Sequence, residues 1–128
     1  MSAHGISDQG IKVALEKLAS RTSSDLCKIS VDGDEPAALG AQAHLHLFRI
    51  TQEAIQNAMR HGAASRINIY LAPDPQHLLL VRDNGKGFDP QQYSPGMGLQ
   101  SLRQRAALLG GQLKLDSEPG RTEIAITI

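Results

Sequence analysis

The sequence predicts an α+β protein, a two-layer α/β sandwich in which three helices cover one face of a mixed, mostly antiparallel sheet. Three observations carry this. Segments of helical period are interspersed with short segments that alternate apolar and polar residues. Turn signals rich in Pro, Gly and Asp join the alternating segments into hairpins. The 128 residues supply one core, and no repeat, low-complexity tract or linker divides them.

In chain order, a first helix is expected from Asp8 to Ser20, capped by Ser7, with Ile11, Leu15 and Leu18 as its apolar stripe. Arg21 to Asp25 is polar and turn-like. Leu26 to Val31 alternates, with Cys27, Ile29 and Val31 on one side, and predicts a strand. Asp32-Gly33-Asp34-Glu35-Pro36 is a loop signal. The spacing of Leu47, Ile50, Ala54, Ile55, Ala58 and Met59 predicts the inner arc of a long helix from Ala41 to His61. Gly62 follows where a helix end favours a positive φ. Ser65–Leu71 and His77–Val81 predict a hairpin around Pro73-Asp74-Pro75-Gln76. A third helix is expected from Gly98 to Leu109, facing inward through Leu99, Leu102, Ala106 and Leu109 and ended by Gly110-Gly111. Gln112–Ser117 and Thr122–Ile128 predict a closing hairpin.

Composition removes several function classes. The 13 basic and 13 acidic residues balance, which leaves no electrostatic footprint for nucleic acid or an anionic membrane. No apolar run reaches the length of a membrane span, and the first residues lack the layout of a signal peptide. The single cysteine, Cys27, excludes an internal disulfide and reads as a small buried hydrophobe. A reducing, cytoplasmic setting is expected. Trp is absent, so the core must be aliphatic. Seven of the 12 glycines fall between Gly85 and Gly120, where backbone must approach something closely.

Candidate chemistry sits in three places. On the long helix, Glu53, Asn57, Arg60 and His61 stack on the arc opposite the core, giving a carboxylate, an amide, a guanidinium and an imidazole in a row. Taken alone, such a row reads as a solvated face. At a strand end, Asp83-Asn84-Gly85-Lys86-Gly87 offers a carboxylate acceptor followed by two glycines that admit a flat ring against the backbone; a tight turn is the plain alternative. Gly96-Met97-Gly98-Leu99 opens the third helix with bare N–H groups suited to phosphate. Neither a Rossmann fingerprint nor a Walker A loop is present. His44 and His46, two apart on a helix, face different ways and make a poor metal pair. Arg82 and Lys86, beside the glycine loop, read as solvated charges.

The order of these motifs resembles the Bergerat-fold (GHKL) ATPase superfamily. QEAIQNAMRHGAAS, VRDNGKGFDP and GMGLQSLRQRAALLGGQLKLDSEPGRTEIAITI are similar to the catalytic ATP-binding domain of bacterial sensor histidine kinases, in the nitrate-sensor and thermosensor branch with a short lid. The resemblance covers nearly the whole chain, and residues 1–128 are expected to form one such domain. It implies ATP and Mg²⁺ as ligands. Glu53 matches the acid that polarises the attacking histidine or a water, and Asn57 the amide that holds Mg²⁺. Arg60 matches a phosphate contact, and His61 a frequent neighbour of the site. Asp83 matches the acceptor for the adenine amine, with Gly85 and Gly87 under the ring. Gly96, Gly98 and Leu99 match the phosphate-side glycine box, and Thr122 the threonine near adenine. Here the chain departs from the family's usual Gly-x-Gly-Thr, reading Gly120-Arg121-Thr122. Residues 88–95 match the lid.

None of the five histidines lies in the context expected of a phosphoacceptor. The chain is therefore expected to be a domain excised from a larger sensor, or a module acting in trans. It would be monomeric, touch no membrane itself, and serve a partner dimerisation domain carrying the phosphorylated histidine, with a response regulator downstream. Alternatives are a serine kinase of the anti-sigma-factor type and a non-catalytic nucleotide-gated interaction module.

Overall fold

The computed structural model describes residues 4–36, 39–87 and 98–127. Eight elements follow in order: α1 (His4–Thr22), β1 (Lys28–Gly33), α2 (Ala41–Arg60), β2 (Arg66–Leu71), β3 (His77–Asp83), α3 (Leu99–Leu108), β4 (Gln112–Glu118) and β5 (Arg121–Thr127). They form one five-stranded sheet in the order β1-β2-β3-β5-β4. Only β1 and β2 run parallel; the other neighbours are antiparallel. The expected sandwich and both hairpins are present.

The core is aliphatic and lies between the helices and one face of the sheet. Ile67, Ile69 and Leu71 of β2, Leu79 and Val81 of β3, and Ile124 and Ile126 of β5 meet Leu47, Ile50, Ala54 and Ile55 of α2. Ile11, Leu15 and Leu18 of α1 and Leu102 of α3 complete it. The opposite sheet face is polar. There Arg82 Nη2 pairs with Glu123 Oε2 at 2.7 Å, and its guanidinium stands 5.8 Å from the Tyr70 ring centroid.

Four local expectations need correction. The first helix starts at His4 rather than at a Ser7 cap, and it breaks at Gly10 (φ 84°, ψ 167°). Past the break, the Glu35 carboxylate accepts from the Ile11 and Lys12 N–H groups at 3.0 and 2.8 Å, so the cap comes from a loop distant in sequence. Glycine suits this break because its φ and ψ lie where side-chain-bearing residues are strained; a Cβ would also lie 2.8 Å from Glu35 Oε1. Leu26 lies before β1 rather than in it and is 85% exposed. At the end of α2, positive φ falls on Ala63 (50°), not Gly62. Gly62 is required instead because a Cβ would lie 2.8 Å from the Ala58 carbonyl oxygen. Met59, assigned to the inner arc, is exposed.

Candidate functional site

The site grows from the last residue of β3. Along the helix-facing side of that strand run Leu79, Val81 and Asp83, all buried. The row is apolar until its end, where a carboxylate replaces the aliphatic side chain. Register places Ile67 of β2 on one side of Asp83 and Thr122 of β5 on the other. Opposed residues on neighbouring antiparallel strands share a face. The Thr122 hydroxyl therefore stands beside the Asp83 carboxylate, held by Ser117 Oγ at 2.8 Å.

Asp83 Oδ1 accepts from the Gly85 N–H at 2.8 Å. Its Oδ2 has no hydrogen-bond partner among the described residues, which leaves one acceptor for a ligand. Burial pushes the Asp83 carboxyl above its ordinary pKa, and the Gly85 N–H offsets part of that rise. Burial also pushes the Cys27 thiol up, with the negative charge of Asp83 adding to it, so Cys27 is an inert core residue.

The loop after Asp83 is a junction of three backbones. Asn84 Oδ1 accepts from the Ser65 and Arg66 N–H groups, both at 2.9 Å, which fastens the end of β3 to the start of β2. This stitch, rather than a hairpin turn, is the work of Asn84. The Lys86 N–H donates to the Gly62 carbonyl at 2.8 Å, and the Gly120 N–H to the Gly85 carbonyl at 2.9 Å. Cβ atoms on Gly85 and Gly87 would lie 2.7 Å from Gly62 O and 2.6 Å from Glu118 O. Gly87 also has φ 76°. These glycines let the end of α2 and the β4–β5 turn close on the loop.

The resulting cleft lies between α2 and the sheet. Asn57, Asp83, Gly87 and Thr122 line it, together with Ala54, Ala58, Gly62 and Ile124. The first four were expected from the sequence. The small residues Ala54 and Ala58, one helical turn apart, belong to the core arc expected from the sequence; their short side chains leave space between α2 and the sheet.

The other expected residues are distributed differently. Glu53 is turned toward α3, where Ser101 Oγ donates to its Oε1 at 3.3 Å. Gly98 is the N-cap of α3 with φ 67°, ψ 20°. The Leu99 side chain is buried in the core, so only its backbone is available to a ligand. Arg60 is exposed at the end of α2, and the His61 N–H caps the helix by donating to Asn57 O at 2.9 Å. Gly96 and the expected lid lie outside the described residues. Arg82 points to the far side of the sheet and Lys86 is exposed. His44 and His46 do diverge: His44 Nε2 lies 3.6 Å from Glu35 Oε2, and His46 Nδ1 3.4 Å from Arg105 Nη1.

A family profile described as "Histidine kinase-, DNA gyrase B-, and HSP90-like ATPase" matches residues 42–128, which include all the pocket residues. The chain belongs to this ATPase family. Among its relatives, the nitrate/nitrite sensor protein NarQ of Escherichia coli is 38% identical over 114 residues, 86% of this chain and 20% of NarQ. The sensor histidine kinase LiaS of Bacillus subtilis is 36% identical over 104 residues, 78% of this chain and 29% of LiaS. The chain thus spans less than a third of these relatives. The ATP-binding domain of PrrB from Mycobacterium tuberculosis has the same fold, with a TM-score of 0.72 at 23% identity, covering 96% of this chain and 92% of that one. A blue-light activated histidine kinase of Erythrobacter litoralis superposes with a TM-score of 0.75 at 20% identity, over 92% of this chain and 41% of that one. The sandwich is therefore the Bergerat fold of histidine kinase ATPase domains. No helix among the described residues is long and apolar enough to cross a membrane.

Proposed function

We propose that this ATPase domain binds Mg·ATP between α2 and the sheet and passes the γ-phosphoryl group to a histidine on a partner dimerisation domain. In two-component signalling that phosphohistidine would supply a response regulator. The observation that carries the reading is the alignment of Asp83 and Thr122 across β3 and β5, with Asn57 on the opposite wall.

The pocket residues fit the nucleotide. Ala54, Ala58 and Ile124 give a flat, apolar bed for a purine. Asp83 Oδ2 accepts from the exocyclic amine, and the Thr122 hydroxyl stands at the same edge. The Asn57 amide oxygen is a hard ligand suited to Mg²⁺ and would hold the cation together with phosphate oxygens and water. Bound there, the cation would neutralise charge on the phosphates. The backbone N–H groups of Gly98 and Leu99, at the start of α3, favour a phosphate oxygen. By sequence resemblance Gly96 belongs to the same glycine box, and Arg60 and His61, at the end of α2, are further candidates for the phosphates. Gly85 and Gly87 hold the loop beneath the ring.

Phosphoryl transfer asks mainly for positioning and charge neutralisation. Glu53 supplies the remaining need: its carboxylate accepts the N–H proton of the attacking imidazole, so the other ring nitrogen points at phosphorus.

Calorimetric titration with ATP, with and without Mg²⁺, tests the first step. Labelled transfer to a supplied histidine-bearing domain tests the second. Acid-labile, base-stable phosphate on that domain supports the reading. Acid-stable phosphate would assign a serine kinase, and binding without transfer a nucleotide-gated module.

A further inference from the structure

Glu53 does not stand alone on α2; the neighbouring helix shapes the space around it. We propose that Gly98 and Ser101 of α3 are positioning residues for the Glu53 carboxylate, Gly98 by leaving room and Ser101 by donating a hydrogen bond. The inference rests on the reading of Glu53 as the acid beside the attacking histidine.

The two carboxylate oxygens are treated differently. Oε1 accepts from Ser101 Oγ at 3.3 Å in a partly buried setting. Oε2 is buried and has no hydrogen-bond partner among the described residues. A buried carboxylate oxygen without a donor is costly, and a reacting group that donates to it would account for its retention here. Its place is fixed by what is missing across from it: a Cβ on Gly98 would lie 2.7 Å from Oε2. Gly98 is also left-handed, so its glycine serves two ends at once. The first turn of α3 has no acidic residue and its N-cap makes no side-chain hydrogen bond. Glu53 brings a negative charge to that positive helix end from another element. The carboxylate therefore has one oxygen anchored and the other aimed. Ser101 sits one turn before Arg105, which fastens the same face of α3 to His46 of α2. The helix that carries the phosphate-side backbone thus also sets the angle of the acid.

The test uses kinetics on the full chain, with Mg·ATP and a supplied histidine-bearing domain. Ser101→Ala should lower kcat by about 10-fold, the low end for a hydrogen bond to a charged group at this length. KM for ATP and the thermal midpoint should stay unchanged, and Ser101→Thr should restore kcat. In the double variant Glu53→Gln/Ser101→Ala, the serine change should cost nothing further. Gly98→Asn keeps a residue that tolerates left-handed backbone but fills the space, and should lower kcat while the chain stays folded. A carboxyl NMR line for Glu53 that shifts in Ser101→Ala and returns in Ser101→Thr would agree. Loss of transfer in Glu53→Gln with full activity in both Ser101→Ala and Gly98→Asn would overturn the positioning role. Full activity in Glu53→Gln would instead overturn the reading of Glu53 itself.

Discussion

Asp83 is asked to do two things, and substitution separates them. Its Oδ1 holds the Gly85 N–H at 2.8 Å; its Oδ2 is left for a ligand. Asn at this position keeps an oxygen for Gly85 and replaces the second oxygen with an N–H₂ donor. Facing an adenine amine, that donor cannot pair. A hydrogen bond to a charged group contributes about 1.5–3 kcal/mol, so Asp83→Asn should weaken ATP binding by about 10- to 150-fold. Folding should not suffer, because the desolvation that raises the carboxyl pKa penalises a charge that the amide does not carry. Asp83→Ala should weaken binding similarly and also leave the Gly85 N–H unpaired, at a cost of about 1–3 kcal/mol in stability. Calorimetry with Mg·ATP and urea unfolding on the same preparations give both numbers. If Asp83→Asn binds ATP as tightly as the parent, the carboxylate does not face adenine. If both variants lose the same stability and affinity follows it, Asp83 is a structural residue only.

Three further outcomes follow from the geometry. The folded pKa of Asp83 is raised, so its ionised form is penalised in the fold; the penalty is full above that pKa and gone below the unfolded value of about 3.9. ATP affinity should move the other way, falling as pH drops through the raised pKa, and Asp83→Asn should flatten this part of a calorimetric pH series. Gly87→Ala meets a left-handed backbone and the Glu118 carbonyl 2.6 Å away, and should cost about 2–5 kcal/mol by urea unfolding. Glu35→Ala removes both acceptors at the break in α1 and should lower stability by about 1–2 kcal/mol, visible as faster hydrogen exchange at Ile11 and Lys12.

Much of this was legible in the sequence because periodicity and turn chemistry are local. The inner arc of α2 needs only residues 47–58, and the two hairpins need only their turns. What was hidden depends on partners far along the chain. Glu35 lies 24 residues from the Ile11 N–H it accepts, and no local pattern announces it. Asp83 and Thr122 each fit a motif, but their alignment is a matter of sheet register. Glu53 was placed on an outward arc, yet an arc is outward only until another helix covers it, and here α3 does. Gly62 and Ala63 exchange roles for a similar reason. The constraint on Gly62 is the approach of the Ala58 carbonyl, which composition does not display.

The most direct measurement is a structure of the chain with Mg²⁺ and a non-hydrolysable ATP analogue. The account predicts the adenine amine on Asp83 Oδ2, the ring over Ala54, Ala58 and Ile124, and the metal on the Asn57 amide oxygen. An analogue bound elsewhere, or a purine in this pocket with its amine turned away from Asp83, would contradict it.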